Sequence, residues 1–458
     1  MCYHIDMLTY ELNAKNKYLS LYTAIRGDIL AGKLTEGQKL PSKRALASNL
    51  GVSVMTVQTA YEQLLAEGYI VSRERSGYFV SGGVSGRSAE VRSIEEHALP
   101  ADEYAFDLVG GSSPPELFPF SVWAKLMRKV LSEEGDHLLC RVPCRGDLSL
   151  RCAIADYLNR MRGVVVQPEQ IVVGAGAEYL YGIIVQLLGR DKLFAVENPG
   201  HLKIASSYVR YGARCAFIPV GNDGVDVGAV ECSGADAVHI SPSHQFPTGS
   251  VIPAAARLRI IAWARSSGAY IVEDDYDSEF RLSGKPLQSM LGLCPDRVIY
   301  INTFSKSLAP SMRMGYMVLP PELVDVFLSV FSGSANVVPL FEQKTLAAMI
   351  SGGYFERHID RLKNYYRTVR SEVTQALASL PYASEVHDTG SGLHLTVTFP
   401  QASSDERIRR IAAERGVNIR CLSDYLADSH SECTRTAVIN YGGLKKGWAA
   451  RIAALFDE

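Results

Sequence analysis

No run of apolar residues in this 458-residue chain approaches the ~18 needed to cross a bilayer as a helix. A helical membrane protein is therefore excluded. The opening segment MCYHIDMLTYEL lacks a basic stretch followed by an apolar core, so it does not read as a secretion signal. C-x-x-C pairs are also missing. The nine cysteines are scattered and odd in number, which argues against a disulfide framework and predicts reduced thiols in a cytoplasmic protein. Cys140 and Cys144 read as inert thiols, and no metal-ligand set stands out. Net charge is only -2, which excludes a polybasic protein but leaves room for a small nucleic-acid-binding module. No segment repeats. What remains is an ordinary globular composition, 47% apolar and 21% charged, with enough chain for roughly two to four domains. Residues 1–80 carry 9 Lys+Arg against 7 Asp+Glu, and the remainder 38 against 42. That asymmetry has the sign expected of an N-terminal nucleic-acid binder.

The first expected domain, residues 15–81, is short and heavily punctuated. Leu21, Ile25 and Ile29 recur at helical spacing across Tyr18–Ala31. Ser42 caps a helix over Lys43–Leu50 that Gly51 ends, and Ser53 caps a third that runs to about Glu67. In that third helix Val54, Val57, Tyr61, Leu64 and Leu65 are expected to face inward. Two β-patterned runs follow, Tyr69–Arg73 and Tyr78–Ser81. Three helices and a hairpin in this order, with a tight Gly51-Val52 corner, predict a winged helix-turn-helix. Its third helix would enter the major groove of double-stranded DNA. Ser53, Met55, Thr56, Gln58 and Thr59 would face outward there, and Arg73 and Arg75 would lie on the wing.

Residues 82–103 are Gly/Ser-rich and then charged, and read as a linker. From residue 104 to 458 apolar runs (IVVGAG, KLFAVE, ADAVHIS, YIVEDD, VIYINT) alternate with helical segments. That alternation predicts an α/β domain with a mainly parallel sheet. A smaller C-terminal α+β subdomain is expected from about residue 346.

The chemistry sits where those runs end. In TFSKSLAPSMRMG, Lys306 leaves a buried strand. An amine that must attack a carbonyl needs a semi-buried position that lowers its pKa. Thr303 and Arg313 in the same loop suit a dianionic phosphate. In YIVEDDYDSEF a carboxylate closes a strand. A pyridine nitrogen stays protonated only against such a group. Asp274 is the candidate and Asp275 the alternative, with Tyr276 placed to donate to a phenolic oxygen. In VVGAGAEYL, Gly176 and Ala177 open a helix whose N–H groups could meet a phosphate.

These loops together resemble pyridoxal-phosphate enzymes of fold type I, the aspartate aminotransferase group. The stretch LPSKRALASNLGVSVMTVQTAYEQLLAEGY resembles a GntR-type winged helix. Its fusion to that fold resembles the MocR family of regulators, and SPSHQFPTG, EDDYDSEF and TFSKSLAPSMRMGY match that family's signature segments. The resemblance covers nearly the whole chain from residue 18. It implies pyridoxal 5′-phosphate as cofactor, with Lys306 forming the aldimine, Asp274 facing the pyridinium and Tyr276 donating to O3′. Arg313, Thr303 and the amides of Gly176 and Ala177 would hold the phosphate. His201 would stack on the ring where the family usually has Tyr. His244 and Gln245 stand one residue out of register with the Asn of the aminotransferase turn. The resemblance also implies a homodimer that binds DNA through the small domain and senses a small-molecule amine or cofactor-related effector through the large one.

Three departures from the family pattern bear on function. The recognition helix starts Ser53-Val54-Met55 where an Arg is usual at the second place, which either lowers phosphate affinity or shifts the contacts to Arg44 and the wing. Val438 occupies the position of the Arg that clamps a substrate carboxylate in aminotransferases, leaving Lys203 and Arg435 as candidate effector residues. Arg141 stands where a neighbouring subunit usually offers Tyr. The expected function is a cofactor-dependent, DNA-binding transcription regulator. The alternatives are a working aminotransferase tethered to DNA and a sensor of the cofactor itself.

Overall fold

The computed structural model describes residues 8–13, 15–83, 104–110, 113–282, 287–380, 385–427, 433–449 and 451. Apart from residues 82 and 83, the expected linker lies outside them. The chain divides into two compact units, residues 1–101 and 102–458.

The small unit has helices Lys17–Leu30, Lys43–Leu50 and Val54–Ala66, then strands β1 (Ile70–Arg73) and β2 (Gly77–Val80). The strands pair antiparallel around a turn that holds Arg75 at φ 56°. Ser42 and Ser53 cap their helices as the sequence suggests, accepting from the amides of Ala45 and Thr56. Gly51 ends the second helix at φ 63°, a conformation that favours glycine. Leu21, Ile25, Ile29, Leu46, Val57, Ala60, Tyr61 and Leu64 fill the core. At roughly 1.5–3 kcal/mol per large buried side chain, that core is the main stabilising term of so short a domain. One expected inward residue is not inward: Val54 is 43% exposed. It belongs to the first turn of its helix, and the buried stripe begins only at Val57.

The large unit opens with β3 (Phe106–Asp107) and builds an eight-stranded sheet. Its strands are β4 (Ile171–Gly174), β5 (Leu193–Asn198), β6 (Arg214–Gly221), β7 (Gly224–Val225), β8 (Ala237–Ile240), β9 (Tyr270–Asp274), β10 (Val298–Thr303) and β11 (Gly315–Val318). Their spatial order is β4-β11-β10-β9-β8-β5-β6-β7. Strands β10, β9, β8, β5 and β6 run parallel, while β11 is antiparallel to both β10 and β4. Strand β4 therefore points the same way as β9 and β10. Their last residues, Gly174, Asp274 and Thr303, arrive at one edge of the sheet. Open α/β sheets bind ligands at the carboxyl ends of their strands.

A second sheet follows from β12 (Glu385–His387), β13 (His394–Thr398), β15 (Arg420–Cys421) and β16 (Thr436–Asn440), ordered β12-β13-β16-β15 and antiparallel throughout. Between them β14 (Val417–Asn418) pairs with β3. On this second sheet Leu395, Val397, Cys421, Ala437 and Ile439 join the main hydrophobic core. Side chains alternate along a strand and directly paired residues share a face. The opposite face therefore carries His394, Thr396, Val438, Asn440 and Arg420.

Candidate functional site

At the end of β9 the Asp274 carboxylate is buried. Its Oδ2 accepts from the Tyr181 hydroxyl at 2.7 Å and lies 3.3 Å from His239 Nε2. The Tyr208 hydroxyl lies 2.7 Å from His239 Nδ1. If Tyr208 donates to Nδ1, the His239 proton sits on Nε2 and points at Asp274. The other oxygen, Oδ1, is buried with no hydrogen-bond partner. A buried polar atom without a partner costs about 1–3 kcal/mol, so a donor from a bound group would recover that cost.

Asp275, the alternative, is used differently. Its Oδ2 lies 2.7 Å from Arg162 and accepts from the Tyr300 hydroxyl at 2.7 Å. Its Oδ1 also lacks a partner, but Arg162 matches its charge. Asp274 is hydrogen-bonded by a hydroxyl and faced by an imidazole, and it lies within electrostatic reach of His201, Tyr276 and Glu197. The ion-pair partner of Asp275 is an arginine, that of Asp274 the His239 imidazole.

Lys306 sits in the loop after β10. Burial holds its amine below the ordinary lysine pKa, with the Asp277 carboxylate opposing. Such an amine reaches its neutral, nucleophilic form at lower pH than a solvated lysine.

Thr303, Gly176 and Arg313 converge on one another where β4, β10 and β11 meet. A Cβ on Gly315 would lie 3.1 Å from Thr303 Cγ2 and 3.5 Å from Gly176 Cα. A Cβ on Gly176 would lie 3.3 Å from Arg313 Nη2. Gly176, at φ 88°, caps the helix Ala177–Leu188, whose first amides open beside the guanidinium. Arg313 itself has a left-handed φ of 47° and donates to the Ala175 carbonyl at 3.2 Å. A helix N-terminus, an arginine and a hydroxyl form a ready anion cradle.

His201 begins the helix Leu202–Arg210, with its ring 5.7 Å from that of Phe246. The residue is exposed to solvent. Packing, then Lys203, hold its pKa below the ordinary value, with Lys306 and Arg420 acting in the same direction and Asp274 against them. Lys203 is exposed on the same helix.

The structure brings in groups the sequence did not single out as a set. His244 Nδ1 lies 3.1 Å from Asp277 Oδ2 and 3.4 Å from the Tyr276 hydroxyl. The His244 ring lies 4.3 Å from that of His394, and these two histidines and Asp277 form one buried cluster. Gly392 leaves room for it, since a Cβ there would meet His244 Cε1 at 1.9 Å. The signal for His394 was a histidine inside the β-patterned run LHLTVTF. Gln245 is structural and binds the Pro199 carbonyl at 2.8 Å.

Arg435 and Arg141 each have a backbone partner of their own. Arg435 precedes β16 at φ 50°, is exposed, and donates to the Pro400 carbonyl at 3.2 Å. It stands just before the strand, so alternation along β16 does not fix its face, and its guanidinium is engaged at Pro400. Arg141 donates to the Gly333 carbonyl. A groove of about 1000 Å³ does not include Lys306 in its lining. It runs along the helix Asp405–Glu414 and is lined by Arg407, Arg410, Asn418 and Arg420.

In the small unit Arg44 and Arg75 are exposed, and Arg73 stacks 4.6 Å over the Phe79 ring. Thr56 and Gln58 are half-buried, with Gln58 donating to Glu62 at 2.8 Å. The Ser53 hydroxyl is engaged by the Thr56 amide at 3.1 Å and lies 2.8 Å from the Thr56 hydroxyl. Its first task is the cap. Met55 projects furthest, at 67% exposure.

A winged helix joined to a sheet with a lysine, a buried aspartate and an anion cradle at its strand ends defines a DNA-binding regulator built on an aminotransferase fold. Residues 17–80 match the model of bacterial regulatory proteins of the gntR family, and residues 111–444 match aminotransferase class I and II. The chain is 34% identical to the uncharacterized HTH-type transcriptional regulator YdeL of Bacillus subtilis, over 94% of this chain and 93% of that one. It is also 34% identical to the probable rhizopine catabolism regulatory protein MocR of Rhizobium meliloti, over 93% and 90%. Kynurenine aminotransferase of Pyrococcus horikoshii shares the fold at a TM-score of 0.69 and 23% identity, covering 78% of this chain and 90% of that one. The chain belongs to the MocR-type transcription regulators of the GntR family. Its large domain is of a class whose members imply pyridoxal 5′-phosphate.

Proposed function

We propose that this regulator binds pyridoxal 5′-phosphate at Lys306 and reads a small amine through it. The observation that carries this reading is Asp274 Oδ1, buried and without a partner. A protonated pyridine nitrogen satisfies both its charge and its lone pair. When bound, the cofactor supplies an aldehyde with which amines condense.

The chain's own residues then have distinct tasks. Lys306, its pKa lowered by burial, holds the aldehyde covalently. Asp274, steadied by Tyr181 and His239, fixes the ring. Arg313, Thr303 and the amides of Gly176 and Ala177 take the phosphate, and His201 covers the ring face. Tyr276, backed by His244, donates to the phenolic oxygen. A small amine is the proposed effector class, since one that took the place of the Lys306 amine at the cofactor would change the contacts of these loops.

DNA binding falls to the small domain, with Arg44, Arg73 and Arg75 on phosphates and the helix Val54–Ala66 in the major groove. A homodimer matches paired half-sites. A protein that reads a bacterial chromosome works in the cytoplasm. Regulation is favoured over turnover, because the clamp position holds Val438 and Arg435 is engaged at Pro400.

The test is absorbance of the purified, reconstituted protein. The expected result is a visible band that Lys306→Ala abolishes. A colourless protein in excess cofactor contradicts the reading.

A further inference from the structure

We infer that His244, Asp277 and His394 form a binding site for a divalent transition-metal ion of the zinc and cobalt class. The inference does not depend on the cofactor reading of Lys306.

The ligands come from three segments far apart in the sequence, so no ligand spacing announces them. His244 lies in the loop after β8, Asp277 in the turn after β9, and His394 opens β13. One donor atom from each lies within 4.8 Å of the other two, and all three side chains are more than nine-tenths buried. Two ligands on one ion stand at most about 4.2 Å apart, twice a zinc–nitrogen bond. Side-chain rotations of under about 1 Å therefore close the site.

Free lone pairs point to a ligand. His244 Nε2 and His394 Nε2 are buried and have no hydrogen-bond partner among the described residues. The backbone of Gln245 and Pro247 hydrogen-bonds the His394 ring. Proline has no amide hydrogen, so its carbonyl accepts from a ring N–H. With Nε2 unpartnered, that N–H belongs to Nδ1, and Nε2 keeps its lone pair. A carbonyl on the far nitrogen is how metal-binding histidines are ordinarily oriented. The Thr389 hydroxyl also lacks a partner. A Cβ on Gly249 would lie 3.6 Å from Thr389 Oγ1 and 3.7 Å from His244 Nε2, so the two orphaned atoms border one space. Buried polar atoms left in such a group call for a water or an ion. The Asp277 carboxylate favours an ion, because it adds negative charge to two imidazoles.

The frame around the ligands is fixed from both sheets. Gly392, at φ 69°, packs on the pair, and a Cβ there would meet Asp277 Oδ2 at 2.4 Å. Its amide donates to the Phe280 carbonyl at 3.1 Å, and its carbonyl accepts from the Tyr441 hydroxyl at 2.7 Å. Two histidines and a carboxylate suit Zn²⁺ or Co²⁺ better than Mg²⁺ or Ca²⁺. Three protein ligands leave a coordination position open.

The test titrates Co²⁺ into full-length, cofactor-loaded protein after treatment with a chelator. Ligand-field bands report the donor set, and Zn²⁺ is then added in competition. The expected result is one Co²⁺ per chain, displaced by Zn²⁺. It should lack the thiolate charge-transfer band that the exposed Cys140, Cys232 or Cys433 would add. This native spectrum tests the site without any variant. Losing a group that merely orients a ligand costs about 10–100-fold in affinity. His394→Gln and Asp277→Asn should therefore each weaken Co²⁺ binding at least about 100-fold, and Asp277→Glu should recover part of the loss. Zn²⁺ should raise the melting temperature of the native chain and leave that of His394→Gln unchanged. A native chain that takes up no ion would overturn the site and leave His244 and Asp277 as a structural pair. Thiolate charge transfer in the native chain, or an affinity indifferent to both His394→Gln and Asp277→Asn, would overturn it as well.

Discussion

The two working faces of this molecule are built on opposite terms. In the small domain the residues assigned to DNA are exposed or occupied with local tasks: Arg44 and Arg75 in solvent, Arg73 over Phe79, Ser53 on its cap. In the large domain Asp274, Lys306, His244 and His394 are held by packing, and Asp274 Oδ1, His244 Nε2 and His394 Nε2 have no hydrogen-bond partner among the described residues. A solvated face derives affinity from many weak, screened contacts. A desolvated one depends on a few groups, each difficult to replace. Substitutions should therefore act steeply in one region and gradually in the other.

The sharpest break should come at Asp274. Asp274→Asn keeps an acceptor for Tyr181 but removes the charge. Cofactor affinity in a spectral titration should fall by at least about 100-fold, or roughly 2.7 kcal/mol, while intrinsic DNA affinity stays within about twofold. A milder loss would mean that the ring nitrogen is not protonated. DNA affinity should show the graded behaviour. It should fall steeply with salt, and Arg44→Ala or Arg75→Ala should each reduce the log–log salt slope by about one. The cofactor band should be indifferent to the same salt range.

Stability gives a smaller effect. Ser53→Ala removes the cap on the recognition helix and should cost about 1 kcal/mol, read as a lower midpoint for the small domain in denaturant. The smallest expected effect is a pH shift in cofactor capture. Burial lowers the Lys306 pKa, so the neutral fraction rises with pH and reaches half below the ordinary lysine value. Capture by the cofactor-free protein should therefore reach its half-maximal rate at lower pH than for a solvated lysine. A midpoint at the solvated value would remove burial from the account.

The same contrast explains what the sequence disclosed. The elements were legible because their signals are local: Ser42 and Ser53 before helices, Gly51 at a left-handed end, apolar runs ending in Gly174, Asp274 and Thr303. Lys306 and Asp274 stood out because charged groups rarely close apolar strands without a task. What stayed hidden depends on pairing between distant segments. The meeting of His244, Asp277 and His394 needs two sheets brought face to face. The Arg420–Val438 pair needs a strand register. Val54 was misplaced because periodicity extends a stripe past the point where the fold stops covering it.

The central claim is that chemistry at Lys306 governs the DNA-binding domain. DNA affinity of the full-length, cofactor-loaded protein, measured with and without a small primary amine, tests it most directly when native chain and Lys306→Ala are compared. The account predicts that the amine changes the affinity of the native chain several-fold and leaves Lys306→Ala unmoved. An equal change in both, or none in either, would contradict it.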